Sequence, residues 1–263
     1  MEISKFLKCG LCAMAGVVAI VSVLLVLPHK AATFMGQGSK KTQPEERKMP
    51  VASYSSSEAI EERERGEKSL RRIRNLRHDK KGSQRFDEYP DDTVERGKST
   101  HWWFDLPGLP TGESDAVIVG MVTDARGYLS SDRTGAYSEF TVLIEDIYKN
   151  DSRLSNGSSI IAEREGASVK LPDGRTISYK IIGQGMPQIA RRVALFLKYD
   201  EEAKSYNILT GYELIDKRVY PLDEEVERFA AFKLDAEDSF LEAIREAVTN
   251  PPQLLQDRRR PGQ

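Results

Sequence analysis

A chain of 263 residues with 39% hydrophobic and 30% charged side chains carries apolar material for one core but not for two large domains. A formal charge of −2 and a pI near 6.1 exclude a wholly basic nucleic-acid binder, and two cysteines exclude a multi-disulfide scaffold.

After a short tail at 1–8, residues 9–27 read CGLCAMAGVVAIVSVLLVL. As a helix this uncharged run is about 28 Å long, against a hydrocarbon core of about 30 Å, so a transmembrane helix or signal-anchor is expected and the lipid bilayer is its partner. Beyond Pro28, neither His29 nor Lys30 is the small residue a signal-peptidase site wants, which favours an uncleaved anchor over a cleaved export signal. Lys5 and Lys8 argue for a cytoplasmic N-terminus and a periplasmic or extracytoplasmic soluble domain, a bias that Lys30, Lys40 and Lys41 weaken. Cys9 and Cys12 have CxxC spacing but would face lipid, and neither follows the small residue that a lipoprotein signal requires. His29, His78 and His101 are the only histidines, so from 102 onward the chain has neither the neutral-pH proton shuttle nor a thiolate. His- or Cys-based triads and zinc sites are therefore not expected there, and no cofactor is expected.

Residues 28–101 read as a charged linker, mostly disordered, because ordering them would cost backbone entropy with little apolar burial in return. Within it, the Ser57 cap, the acids Glu58, Glu61 and Glu62, and the spacing of Leu70, Ile73 and Leu76 predict a helix over 58–78. From Arg63 to Lys81 nine basic residues face three acidic ones. That patch suits either a solvated helix face or contact with anionic headgroups or nucleic acid. His101-Trp102-Trp103-Phe104 then reads as an apolar plug on the outside or bottom of the following domain.

Residues 102–220 are expected to be a small β-barrel. Ala116–Thr123, Tyr137–Tyr148, Ser159–Ala162, Thr176–Ile182, Val193–Tyr199 and Tyr206–Thr210 are β-rich runs divided by turn residues. The alternation of Phe140, Val142 and Ile144 breaks before Ile147, which predicts a bulge near Glu145-Asp146. Asp173-Gly174 predicts a tight hairpin turn. Glu224–Phe232 and Asp235–Val248 predict C-terminal helices within 221–250, ended by Asn250-Pro251-Pro252, with a disordered tail at 251–263. The fold class is thus mainly β: an OB-like barrel with C-terminal helices, after a transmembrane helix and a charged linker.

Asp115–Thr123, Phe140–Asn150, Gly157, Ile160-Ile161, Ala194–Leu197 and Leu209-Thr210-Gly211 resemble exported bacterial proteins of unassigned activity with an OB-like barrel. More distantly, the Tyr148-Lys149 pair ending a long strand is similar to the netrin/tissue-inhibitor-of-metalloproteinase barrel. The likeness covers about residues 114–220 and rests on core and turn positions, so it implies a fold and little about activity. That inhibitor family places an N-terminal cysteine on its target's metal; the domain start here has none, and inhibition by that route is not carried over.

The barrel segment 113–220 has fourteen basic and sixteen acidic residues, so it lacks the basic stripe of a strand-tracking groove. Tyr179, Tyr199, Tyr206 and Tyr212 read as strand packing rather than base-stacking platforms. Gly183, Gln184, Gly185 and Met186, with Arg191 and Arg192, form a candidate binding loop that is not a phosphate loop, since no Lys-Ser or Lys-Thr pair follows it. Glu163 and Glu165 read as a wet barrel face without chemistry. Asp124, Asp132 and Asp151 lack calcium-loop spacing. The reading favoured is a membrane-anchored extracytoplasmic binding or envelope-interaction module with a protein or envelope partner and no evident catalytic site. The alternatives are a hydrolase-like enzyme with carboxylates or serines in a barrel–helix cleft and, least favoured, a nucleic-acid-binding barrel.

Overall fold

The computed structural model describes residues 48–54, 68–91, 94–96, 106–150 and 152–251. The expected span at 9–27, the Trp102-Trp103 cluster and the tail from 252 onward lie outside the described residues, as does the first half of the helix expected over 58–78. Among the described residues, no helix is long and apolar enough to cross a membrane.

In chain order the elements are β1 (Val51–Ser53), α1 (Lys68–Arg77), β2 (Val94–Arg96), β3 (Ala116–Leu129), β4 (Ala136–Lys149), β5 (Ser159–Glu165) and β6 (Ala167–Lys170). They continue with β7 (Thr176–Lys180), β8 (Arg192–Asp200), β9 (Ser205–Ile215), β10 (Arg218–Pro221), α2 (Glu227–Ala230) and α3 (Glu237–Thr249). The chain is mainly β, as expected, with two sheets and C-terminal helices.

Hydrogen bonding runs β9-β5-β4-β3-β8 and returns from β8 to β9, so five strands close on themselves. All these pairs are antiparallel except the short parallel contact of β5 with β9. Alternation along each strand turns Ile118, Phe140, Val142, Ile144, Ala162, Leu195, Leu197 and Ile208 into one buried cluster. The expected bulge is present: Val119 faces Asp146 and Gly120 faces Ile144, leaving Glu145 as the extra residue. A Cβ on Gly120 would stand 2.4 Å from the Leu143 carbonyl oxygen, so only glycine allows the two strands to close there.

The outer face of β3, β8 and β9 is covered by α3. Phe240, Leu241 and Ile244, one helical stripe, pack with Phe229 of α2 against Val117, Val119, Phe196, Tyr212 and Val219. The Tyr212 and Phe240 ring centroids are 4.7 Å apart. The residue preceding α3 is Ala236, which makes no side-chain cap bond, so the helix starts two residues beyond Asp235, where the sequence opened it.

The second sheet corrects the linker reading for the residues described. Its order is β1-β6-β7-β2, and both outer strands, β1 and β2, come from the segment expected to be a linker; each pairs in parallel with one strand of the β6–β7 hairpin. The hairpin turns at the expected Asp173-Gly174, with Gly174 at φ +92°. Tyr54, Phe86 and Tyr89 pack on Val169, Ile177 and Tyr179 in a third apolar cluster. Segments too polar to form a core of their own are ordered by borrowing backbone partners and apolar surface from the barrel side. A Cβ on Gly127 of β3 would lie 2.6 Å from the Ala52 amide nitrogen, so β1 crosses β3 where a side chain is missing. Gly127→Val should therefore strip amide-exchange protection from Val51–Ser53 while β3, β4 and β8 stay protected, as measured by hydrogen–deuterium exchange.

Candidate functional site

The helix α1 is amphipathic in the opposite sense to the one its leucines suggest. Leu70 and Ile73 are half-buried and Leu76 is 50% exposed, whereas Arg71 and Arg74 are buried, and so is His78 just beyond the helix. Positions 71, 74 and 78 share one face at helical spacing, and that face lies on the barrel. The basic stretch that could have been a solvated face is turned inward at these positions, where it meets acids.

Those acids form a row across the barrel wall. Glu139 of β4 stands opposite Glu163 of β5, which stands opposite Asn207 of β9, which stands opposite Lys198 of β8. Glu163 is buried, which corrects its reading as part of a wet face. Arg71 Nη1 donates to Glu139, and its guanidinium lies 3.6 Å from the Tyr128 ring centroid. Arg74 reaches both acids, with Nη1 3.4 Å from Glu139 Oε1 and Nε 3.3 Å from Glu163 Oε1, and Nε also donates to the Ala203 carbonyl. Arg77 donates to Glu163 and Asp200. His78 stacks on Tyr137, with centroids 4.2 Å apart, and holds Nε2 3.8 Å from Glu163 Oε2.

The environment drives the two central acids in opposite directions. Burial pushes the Glu139 carboxyl up, against the pull of Arg71 and Arg74. Burial would raise Glu163 as well, but His78, Arg77, the Ser205 hydroxyl and Arg74 outweigh it and hold the carboxyl below its usual range. Asp200 is likewise held low, its burial overcome by the amides of Ala203 and Glu202 and by Arg77.

Beside α1 an open cleft of about 350 Å³ runs between Arg77, His78 and Lys81 on one side and Gln184, Asn207 and Leu209 on the other. Of the six candidate loop residues only Gln184 lines it. Gly183 sits at φ +76°, Gly185 donates its amide to Asp223, and Met186 is buried in the barrel cluster. Arg164, buried and paired with Asp223 at 2.6 Å, also donates to the Gly185 carbonyl, so the loop is tied down from below. Arg192 bridges Glu145 and Glu237, and Arg191 is exposed. Arg192 is thus committed to its two acids, and neither arginine lines the cleft. Where the barrel meets the C-terminal helices, Phe240 and Ile244 pack against its wall.

The folded unit does contain a histidine, because residues 68–91 belong to it; the inference that it lacks a proton shuttle held only from position 102 onward. His78, Arg71 and Arg74 were missed as site residues. Their signal was the Arg71, Arg74, His78 spacing, which places a charged face and not an apolar one toward acids at alternating positions of β4 and β5. Among the described residues, no cluster of three or more His, Cys, Asp or Glu side chains could hold a metal ion.

No protein-family model matches the chain, and no curated protein matches it.

Glu163 and Asp200, held low, stabilise the fold above the ordinary carboxylate range and lose that contribution as pH falls through their folded values; Glu139, held high, acts in the opposite sense. Glu163→Gln should cost about 3 kcal/mol at pH 7. The gap to the parent chain should narrow below about pH 4.5, as read from urea midpoints across pH 3 to 7.

Proposed function

We propose that this chain is a membrane-tethered extracytoplasmic binding module on an OB-type barrel, with its ligand side at the cleft along α1. The ring order β3-β4-β5-β9-β8, closed between β8 and β3 and parallel only between β5 and β9, supports the OB reading. The observation that carries the binding reading is the pairing of Glu139 and Glu163 with Arg71, Arg74 and Arg77. Acids neutralised in this way hold a helix in place; they are not presented to a substrate as a hydrolase's carboxylate pair would be.

The same pairing disfavours nucleic acid. OB barrels bind oligonucleotides across their second and third strands, here β4 and β5. That face is acidic, and α1 already covers it with arginines committed to the acids beneath. In this reading the uncharged apolar run at 9–27 is the tether.

A phosphatase reporter fused after Gln263 should be active outside the cytoplasm, and the full chain should stay in carbonate-washed membranes until 9–27 is deleted. A soluble, processed chain or a silent reporter would contradict the tether. Saturable single-stranded DNA binding at physiological salt would contradict the module's ligand class.

A further inference from the structure

The cleft beside α1 is lined by cationic and donor groups, one of which the protein leaves unpaired. His78 is 8% exposed, lines the cleft, and has no hydrogen-bond partner at either ring nitrogen among the described residues. Buried polar groups are normally paired, so an imidazole left open on a cavity wall points to a group supplied from outside. Lys81 lines the same cleft with its ammonium 3.7 Å from Glu165 Oε2, too far for a hydrogen bond. The Asn207 side chain adds an amide beside them.

The carboxylates in the cleft already face partners within the protein. Glu163 accepts from Arg77 and lies 3.3 Å from Arg74 Nε, and Glu165 accepts the Tyr179 hydroxyl at 2.8 Å. A ligand must therefore bring acceptors, and an anionic one gains from Lys81 and from the Arg77 charge near it. Ile181, Ile208 and Leu209 supply an apolar wall to the same space. A volume of about 350 Å³ falls at the small end of ligand sites, which combine apolar lining with a few polar anchors.

We propose that this cleft binds a small organic oxyanion, its carboxylate or phosphate on His78 and Lys81 and its apolar part against Ile181, Ile208 and Leu209. The proposal rests on the binding-module reading and names its ligand class; it is independent of the tether.

The test is ligand-detected fluorine NMR on the full chain in zwitterionic nanodiscs, with empty discs as the blank. One pool holds small fluorinated carboxylates and phosphate monoesters, and a second holds the matched neutral amides and alcohols. Saturable binding of acids over their neutral counterparts is expected, and the members bound distinguish carboxylate from phosphate. His78→Phe, which keeps the stack on Tyr137, and Lys81→Gln should each weaken binding at least tenfold, while exposed Lys170→Gln leaves it unchanged. Circular dichroism checks that each variant is folded. Equal binding of the neutral pool overturns the oxyanion class and leaves the module reading standing. Binding that survives both cleft variants places the site elsewhere and overturns the proposal. No binding from either pool overturns the proposal and leaves the module reading to the reporter and membrane-wash tests.

Discussion

Under α1, two guanidinium groups and two carboxylates meet almost without water: Arg71 and Arg74 are 5% and 2% exposed, and Glu139 and Glu163 are 5% and 1%. Bringing four charges out of solvent costs several kcal/mol for each ion, and only close, multiply bonded pairing offsets it. The geometry meets that demand at Glu163, which faces Arg74 and Arg77, and only in part at Glu139, where burial outweighs Arg71 and Arg74; Arg74 joins the two acids. Once the helix is seated, removing Glu139 leaves the buried Arg71 without its carboxylate, and removing Glu163 takes a carboxylate from both Arg74 and Arg77. The pairing therefore fixes the helix in one register on the barrel more strictly than an apolar stripe would.

The seated helix determines which parts of the barrel remain open. It covers the centre of the β4–β5 face and leaves a cleft at its C-terminal side, where Arg77, His78 and Lys81 meet β5 and β9. The turn after α1 is tied to the loop between β3 and β4, where the Lys80 amide donates to Asp132 and the Asp132 amide donates to Asp79. The opposite side of the barrel is closed by α3 and its aromatic contacts. The loop after β7 is held by the Arg164–Asp223 pair, so Gln184 reaches the cleft from a fixed backbone.

Where apolar alternation and turn residues carry the structure, the sequence was legible. Strands at 116–123, 137–148, 193–199 and 206–210, the bulge at Glu145, the Asp173-Gly174 turn and the second C-terminal helix follow from period and turn chemistry, whereas the continuation of β3 to Leu129 and of β9 to Ile215 runs through polar residues that gave no such pattern. The candidate site was illegible for a definite reason. Arg71, Arg74 and His78 look solvent-facing when apolar residues alone are counted, and the acids that receive them lie more than sixty residues away on two other strands. Parallel pairing of β1 with β6 and β2 with β7 was equally hidden, because three-residue strands carry too short a pattern to read. The loop at Gly183–Met186 stands out in the sequence for its glycines, of which Gly183 takes φ +76° and Gly185 donates its amide to Asp223, so both serve the loop's anchoring.

The most direct test of this account is a double-mutant cycle between Arg71 and Glu139, read by urea denaturation of Arg71→Leu, Glu139→Leu and the double variant. Buried pairing predicts that each single change costs about 3 to 5 kcal/mol. The double variant should then recover part of that loss, with a coupling above about 1 kcal/mol. Single variants close to the parent chain, with coupling indistinguishable from zero, would mean that the charges under α1 do not hold it to the barrel.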